Sequence, residues 1–363
     1  MKLNKRILAL ISGVAIIFSA TGCNLPFINS SNSSESETSS ISYVAFDKSA
    51  STTGEIIAYI QEALDNNEDT CEIFVTDESL IDAEDWLSNL TGLEQLSCEY
   101  RRVKNGYNLV ITFTKWDNYA IIHAYKTGDT SELNERQLSL YNKYIEILGS
   151  VTSTLNTDYE NELAIHDYLV ENIEYVDNGD NSFNAYSALI NGQAVCSGYT
   201  ECFKTLLDML GINNYTISGI AGGQSHIWNV VELDGEWYQV DVTWDDPVNS
   251  SSDYIQHYYF NITAEDMAID HTWDTDKYTE NIASGTKYSY ANASHLRNFT
   301  SQIELSNYLV NKIRSHVTYV EFTTTSDLDV KEAVQHAGVQ LTYSYKDVER
   351  SSYTIYCVTF NYE

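Results

Sequence analysis

Two runs of strand-forming residues on either side of Asp234-Gly235 constrain the fold of this chain more than any other feature. Residues 230–233 and 237–242 are rich in Val, Trp and Tyr, and Asp-Gly is a favoured two-residue turn between antiparallel strands. The sequence therefore predicts a β-hairpin at this point. Helical periodicity precedes it, in residues 133–175 and 183–212. Helices followed by an antiparallel sheet indicate an α+β fold rather than alternating βαβ units.

The composition is that of a folded and strongly acidic protein. The chain has 363 residues, of which 43% are apolar, so two or three domains with buried cores can form. The 52 Asp and Glu residues outnumber the 20 Lys and Arg residues, and the formal net charge of −32 argues against a nucleic-acid partner. The six cysteines contain no CxxC pair, which argues against a thiolate zinc site and a thioredoxin-like site.

The first 23 residues resemble a bacterial lipoprotein signal. Three basic residues lie within the first six positions, residues 7–18 carry no charge, and small residues lead into Cys23. We therefore predict a signal peptide over residues 1–22, lipidation of Cys23, and a Ser/Asn-rich tether over residues 23–44. The mature protein is then expected on the extracellular face of the cytoplasmic membrane, where the lipid anchor alone holds it.

Two distant stretches follow the same order of elements. Residues 53–119 and 301–362 each show the pattern of a helix, a strand, a second helix and a hairpin, with Phe74 and Phe322 expected on equivalent strands. We therefore predict two small duplicated α+β modules that flank a central domain. The predicted bounds are residues 45–125 for the first module, 126–290 for the central domain and 291–363 for the second module.

Three residues carry the chemistry of a cysteine nucleophile. Cys196 begins a predicted helix, whose N-terminus stabilises a thiolate. His226 precedes the first strand of the hairpin and Asp241 lies on the second, so an offset of two residues makes them neighbours. A thiol nucleophile needs a base, and the base needs an acceptor that fixes its tautomer. Cys196, His226 and Asp241 are therefore the candidate catalytic residues.

Three motifs in this order resemble the bacterial transglutaminase-like superfamily, in its surface-lipoprotein branch. They are Ala194-Val195-Cys196-Ser197-Gly198-Tyr199, His226-Ile227-Trp228-Asn229, and Trp237-Tyr238-Gln239-Val240-Asp241-Val242-Thr243-Trp244-Asp245-Asp246-Pro247. The resemblance covers about residues 155–275 and implies a papain-like core of helices packed on an antiparallel sheet. It also implies a nucleophile at Cys196, a general base at His226 and an orienting acid at Asp241. Ile227 departs from the family pattern, which has a small residue after the histidine.

Other residues near these motifs receive supporting roles. Trp228 and Trp244 are expected to line the substrate cleft, with ordinary core packing as the alternative. Cys202 lies six positions along the helix from the candidate nucleophile and is expected in the core. His166 and His271 belong to the motifs of the resemblance, and packing or capping roles are favoured for both. We expect no metal and no cofactor.

The resemblance implies an enzyme that attacks an amide carbonyl through Cys196 and forms a thioester. Water as the acceptor gives a peptidase or amidase and a primary amine gives a protein-crosslinking transglutaminase, and the sequence leaves both open. Residues 151–290 hold 23 acidic residues, three lysines and no arginine, so the expected substrate is a protein or cell-wall peptide with cationic, amine-bearing groups. A catalytically silent surface protein that binds or scaffolds a partner is the alternative. Acyl transfer from a thioester donor uses the same residue order, but no motif for binding such a donor is evident.

Overall fold

Helices and β-sheets make up both units into which the structure divides, residues 1–138 and residues 139–363. This computed structural model describes residues 15–19, 44–81, 86, 90, 93–177, 183–246, 254–276, 278–279 and 281–362. Cys23, most of the predicted signal peptide and nearly all of the tether lie outside these residues, so their assignments stay predictions. Within the described ranges, no helix has the length and apolar character needed to cross a membrane.

The first unit is a five-stranded sheet with a helix packed on it. Its elements are β1 Ala15–Ser19, β2 Ser49–Ala50, α1 Thr53–Asp65, β3 Thr70–Val75, a 3-10 turn Glu78–Leu80, β4 Leu93–Val103, β5 Gly106–Lys115 and α2 Asp117–Thr127. The strand order is β1-β4-β5-β3-β2, and β1, within the predicted signal peptide, pairs in parallel with β4. Thr52 caps α1, and Ile56 and Ile60 on its inner face are fully buried against the sheet.

The second unit begins with the helices and the sheet of the central domain. Its elements are α3 Glu135–Val151, α4 Asp158–Asn172, β6 Glu174–Tyr175, a π-helical turn Ser187–Asn191, β7 Gln193–Ala194, α5 Cys196–Leu210, β8 Asn214–Ala221, β9 Gln224–Leu233, β10 Glu236–Val240, α6 Val242–Asp245, α7 Ala264–Met267, β11 His271–Trp273 and α8 Tyr290–Ala293. Four of these strands form an antiparallel sheet of order β10-β9-β8-β11. Helices on one antiparallel sheet are the α+β core that the sequence predicts.

β9 and β10 form the hairpin predicted around Asp234-Gly235. The two turn residues have φ of +52° and +82°, as a type I′ turn requires. Asn229 pairs with Val240, so Asp241 follows the last pair at an offset of two residues from His226. The register therefore brings the candidate base and the candidate acid side by side, with the offset expected from the sequence.

The rest of the second unit is a small module with the same topology as most of the first unit. Its elements are β12 Asn298–Phe299, α9 Gln302–Arg314, β13 Tyr319–Thr324, α10 Val330–Gln335, β14 Leu341–Glu349 and β15 Thr354–Tyr362. The sheet order β12-β13-β15-β14 repeats β2-β3-β5-β4, with the first pair parallel and the others antiparallel in both. The second helix that the sequence predicts for the first module lies mostly outside the described residues, since only Trp86 of residues 82–89 is described. The shared topology is consistent with duplication, which stays a prediction.

Phe74 and Phe322 lie on the equivalent strands β3 and β13, but they are one residue out of phase. Ser49 pairs with Phe74 in the first unit, whereas the equivalent residue of the second unit pairs with Thr323. Because successive strand residues point to opposite faces, Phe322 is fully buried and Phe74 only partly. The structural equivalent of Phe322 is therefore Ile73.

The C-terminal module shares a core with the central sheet. Ile355 and Cys357 of β15 belong to the same buried cluster as Trp228 of β9. Next to this cluster, the guanidinium of Arg350 donates a hydrogen bond to the backbone carbonyl of Tyr258. Residues of the module thus complete the packing beneath the strand that carries His226.

Candidate active site

Cys196 is the first residue of α5 and is partly exposed. The residue before it, Val195, provides no side-chain cap, and its carbonyl accepts the N–H of Gly198 at 2.9 Å, so the N–H groups of Cys196 and Ser197 are left for another acceptor. All other cysteines in the described ranges are buried and, like Cys196, carry free thiols: Cys71, Cys98, Cys202 and Cys357. Cys196 is therefore the described thiol that a reagent or substrate can reach.

The start of α5 is fixed by close packing and by a buried carboxylate. A Cβ on Gly198 would lie 2.6 Å from the Cβ of Ala194 and 3.0 Å from the carbonyl oxygen of Asn184, so only glycine permits this approach. One turn further, Glu201 is buried and its Oε2 accepts a hydrogen bond of 2.8 Å from the N–H of Ala185. Both contacts set the position of the helix end that presents the thiol.

Two hydrogen bonds join α5 to the strand that carries His226. Thr200 Oγ1 donates to the carbonyl of Ile227 at 3.0 Å, and Asn229 Nδ2 donates to the carbonyl of Thr200 at 3.2 Å. These residues are buried or partly buried, so water does not compete for the bonds. The helix and the strand therefore hold Cys196 and His226 in a fixed relation.

His226 bridges the thiol and the acid. Its Nε2 lies 2.6 Å from Oδ2 of Asp241, and the thiol of Cys196 is near enough to act on its ring. Burial opposes the charged imidazolium, but the negative charge and hydrogen bond of Asp241, together with Cys196, outweigh it and raise the pKa of His226 to about 10. This arrangement favours the imidazolium form of His226 beside the thiol.

Asp241 is a buried carboxylate held by three donors. Its Oδ1 accepts the backbone N–H of Trp244 at 3.1 Å, and its Oδ2 accepts from both His226 and His271, the latter at 3.0 Å. Burial opposes ionisation, yet the two histidines keep the pKa of Asp241 well below its usual range. The packing or capping role expected for His271 is therefore incomplete, because its ring makes a direct hydrogen bond to the candidate acid.

In the sequence, the local feature that indicates a hydrogen-bonding role for His271 is the dipeptide Asp270-His271, which places a carboxylate next to the histidine. His271 Nδ1 lies 2.6 Å from Oδ1 of Asp270, and Oδ2 of Asp270 accepts the hydroxyl of Tyr259 at 2.5 Å. The contact with Asp241 links residues 30 positions apart, which no local pattern reveals. The hydrogen-bonded chain thus extends from the candidate triad to Tyr259.

The two tryptophans have different environments. Trp228 is fully buried, and its ring lies nearly parallel to that of His226, with centroids 5.9 Å apart and an interplanar angle of 21°. It therefore supports the imidazole from the protein interior, which corrects the expectation that it lines the cleft. Trp244 is partly exposed, with its ring 6.1 Å from His226 and near Gly222, so its place in the cleft wall stays a prediction.

A second buried histidine, His166, lies near the end of α6. His166 Nδ1 is 3.0 Å from Oδ1 of Asp167, and its Nε2 is 3.2 Å from Oδ2 of Asp245. Burial opposes its protonation, but the two carboxylates prevail and raise the pKa of His166 to about 9. His166 thus joins α4 to the end of the helix that follows Asp241, and it makes no described contact with Cys196.

Two groups of three side chains bring potential metal-ligand atoms within 4.8 Å of one another. They are His226, Asp241 and His271, and His166, Asp167 and His257. In each group, two imidazole nitrogens lie at hydrogen-bonding distance from the same carboxylate oxygen. Hydrogen bonds account for both arrangements, and we assign no metal to either.

Comparison with known proteins identifies the family of the central domain. A family model described as the transglutaminase-like superfamily matches residues 145–242, which include Cys196, His226 and Asp241. The kyphoscoliosis peptidase of Homo sapiens is 24% identical over 153 residues, which cover 36% of this chain and 23% of that protein. The chain therefore spans less than a quarter of the length of that relative.

Two solved structures share a low overall similarity with the chain. A crystal structure of a TGase is 16% identical and covers 50% of this chain and 53% of that chain, with a TM-score of 0.29. Legionella pneumophila LapG is 11% identical and covers 49% of this chain and 94% of that chain, with a TM-score of 0.23. The family match is therefore what identifies the central domain. Residues 145–242, which carry Cys196, His226 and Asp241, form a domain of the transglutaminase-like superfamily.

Proposed function

We propose that this protein is a cell-surface lipoprotein that cleaves or transfers amide acyl groups through a thioester on Cys196. The observation that carries the proposal is the arrangement of a partly exposed Cys196 beside His226, whose Nε2 is hydrogen-bonded to the buried carboxylate of Asp241. A nucleophile, a base and an orienting carboxylate in hydrogen-bonding order are the groups that this chemistry requires.

The first step forms the acyl-enzyme. The thiolate of Cys196 attacks the amide carbonyl carbon, and the C–N bond breaks as the imidazolium of His226 gives its proton to the leaving amine. The backbone N–H groups at the uncapped start of α5 lie beside the nucleophile, where they can donate to the oxyanion. Asp241 accepts from Nε2 of His226 and so leaves the other ring nitrogen facing the thiol.

The second step determines whether the enzyme hydrolyses its substrate or transfers the acyl group to an amine. His226, now neutral, takes a proton from water or from a primary amine as that nucleophile attacks the thioester carbonyl. The C–S bond breaks and Cys196 leaves as the thiolate, which re-forms the ion pair with His226. Water gives a carboxylic acid, whereas an amine gives a new amide and a crosslink.

The charges of the central domain support a cationic, amine-bearing protein or cell-wall peptide as substrate. The described lysines of residues 151–290 are already paired, Lys204 with Asp208 and Lys287 with Asp234. The excess of 23 acidic residues over three lysines in residues 151–290 thus supports attraction of a positively charged substrate.

A peptide library with a labelled primary amine tests the function. The protein is incubated with Gln-containing peptides whose flanking residues are either lysines or glutamates, and products are identified by mass spectrometry. Incorporation of the amine indicates transamidation, while cleavage or deamidation indicates hydrolysis. We expect faster turnover of the lysine-flanked peptides and none with Cys196→Ala. Absence of any product with the unmodified protein contradicts the proposal and favours the binding protein.

A further inference from the structure

We propose that His271 is a positioning residue that fixes the carboxylate of Asp241 and places a positive charge beside the triad. The inference rests on the proposed function of Cys196, His226 and Asp241. His271 lies beyond residues 145–242, the part of the chain that matches the family model. Its role therefore follows from the contacts around its ring.

The ring of His271 lies between two carboxylates. Its Nε2 is 3.0 Å from Oδ2 of Asp241 and its Nδ1 is 2.6 Å from Oδ1 of Asp270. A neutral imidazole has one N–H and one lone pair, so it satisfies only one of these acceptors. The imidazolium has two N–H groups and satisfies both. The geometry therefore selects the charged form of His271.

The surroundings of His271 exclude water and strengthen this charge. The side chain is fully buried, and the rings of Trp244 and Trp228 have centroids 4.5 Å and 5.0 Å from its own. Burial opposes the imidazolium, but the hydrogen bonds and charges of Asp241 and Asp270 outweigh it and raise the pKa of His271. The charge is thus held in a region of low dielectric, where it acts strongly on its neighbours.

The titratable and charged groups around the site come from several elements. Asp241, which follows β10, and Asp270, which precedes β11, face His271 directly, and His226 of β9 lies with its ring centroid 5.7 Å away. Behind Asp270 stand the hydroxyl of Tyr259 and the guanidinium of Arg350, which lies over the ring of Tyr259. Arg350 favours the ionised form of Asp270 and so helps keep the partner of His271 charged.

Both imidazoles share one oxygen of Asp241, and this has two consequences. The carboxylate cannot rotate without losing a buried hydrogen bond, so the acceptor of His226 stays aligned. The positive charge of His271 also offsets part of the negative charge that stabilises the imidazolium of His226. His271 therefore limits the basicity of His226.

The test measures alkylation of Cys196 by iodoacetamide as a function of pH. Peptide mass spectrometry identifies the labelled cysteine, so reaction elsewhere does not interfere. The rate has an inflection where the imidazolium of His226 loses its proton. His271→Gln keeps an N–H donor but removes the charge, and we expect this inflection to move to higher pH by about one unit.

Asp270→Asn provides a second variant of nearly unchanged shape. It removes the carboxylate that keeps His271 protonated, so the inflection should move in the same direction. His336→Gln, at an exposed site in the C-terminal module, is the control and should leave the profile in place.

Inflections that stay in place in both folded variants, with only lower thermal stability, overturn the role of His271 and leave it as a packing residue. Because alkylation needs no substrate, this result is independent of whether any peptide is turned over. A shifted profile without peptide turnover contradicts the proposed function and supports the role of His271.

Discussion

The indole Nε1–H of Trp228 donates a hydrogen bond of 2.7 Å to Oε1 of Gln239, and both side chains are buried. This bond spans the two strands of the hairpin and fixes the ring that lies against His226. The orientation of the candidate base thus depends on a polar contact inside the core. Such a contact is costly to break, because the remaining partner is left without a hydrogen bond.

Replacement of Trp228 by Phe should therefore destabilise the protein and slow reactions of Cys196. The variant leaves Oε1 of Gln239 without its donor and creates a small cavity, with an expected loss of about 2–4 kcal/mol in the free energy of unfolding. Urea denaturation measures this loss. Trp237→Phe, on the same hairpin but only partly buried, is the matched control and should lose about 1 kcal/mol or less. Equal losses in the two variants contradict the prediction.

Cys196→Ala should abolish turnover and leave the fold intact, because alanine fits the volume of the thiol. His226→Ala should be nearly as severe, since the members of a catalytic triad act as a unit, with losses on the order of 10³-fold or more. Steady-state assays with the peptide that gives the fastest turnover measure both. The control variant His336→Ala changes an exposed residue of the C-terminal module and should keep full activity. Substantial activity of folded Cys196→Ala would show that another group is the nucleophile.

Asp241→Asn should reduce turnover less, on the order of 10²-fold, because the amide no longer stabilises the imidazolium or fixes its tautomer. Asp234→Asn is the matched control, since it changes the same group on the same hairpin at an exposed turn. Asparagine tolerates the positive φ of this turn, so the control should fold normally. Similar kinetic losses in both variants would mean that the effect comes from the fold of the hairpin.

Gly198→Ala should displace the start of α5 and lower the reactivity of Cys196. The added methyl group meets the Cβ of Ala194 at 2.6 Å, so the helix must move, and we expect a loss of about 1–3 kcal/mol. Gly149→Ala, in α3 with no heavy atom within 4 Å of the added carbon, should instead stabilise the protein by about 0.5–1 kcal/mol. Thermal unfolding and the rate of iodoacetamide labelling distinguish the two variants.

The stability of the protein should fall between neutral and alkaline pH because of His166. Its pKa is about 9 in the folded chain against 6.5 ordinarily, so the folded state retains a proton that the unfolded state loses. The contribution is fully present below about pH 6.5 and is lost as the pH rises through about 9, with a size on the order of 3 kcal/mol.

Urea titrations near pH 6 and above pH 9 measure this change for the unmodified protein and for His166→Gln. We expect the variant to lose about 3 kcal/mol less between the two conditions. His336→Gln, at an exposed site, should lose as much as the unmodified protein. An identical pH dependence in His166→Gln would show that other groups cause the decline.

The relation of His226 to Asp241 could be predicted because it depends on local features. The Asp234-Gly235 turn fixes the register of the hairpin, and simple counting along two strands then gives the offset. Cys196 at a helix start could be predicted for the same reason, since a short turn precedes an apolar helical pattern. These residues are close in space because elements adjacent in sequence pack together.

The environments of Trp228 and His271 could not be predicted from the sequence around these two residues. His271 reaches Asp241 through pairing of β11 with β8, a contact between strands about 50 residues apart in the chain. Trp228 belongs to a buried cluster that also contains Ile355 and Cys357 of β15, in the C-terminal module. Both depend on tertiary contacts that the residues next to them do not encode.

The packing of β15 against the Trp228 cluster has a consequence for biosynthesis. The chain is made from its N-terminus, so the whole segment that matches the family model emerges before Thr354–Tyr362 exists. Until then, the apolar side of the Trp228 cluster lacks Ile355 and Cys357 and stays open to water or to other nascent chains. The cluster that contains Trp228 is thus completed only after the segment that carries Cys196 and His226 has been made.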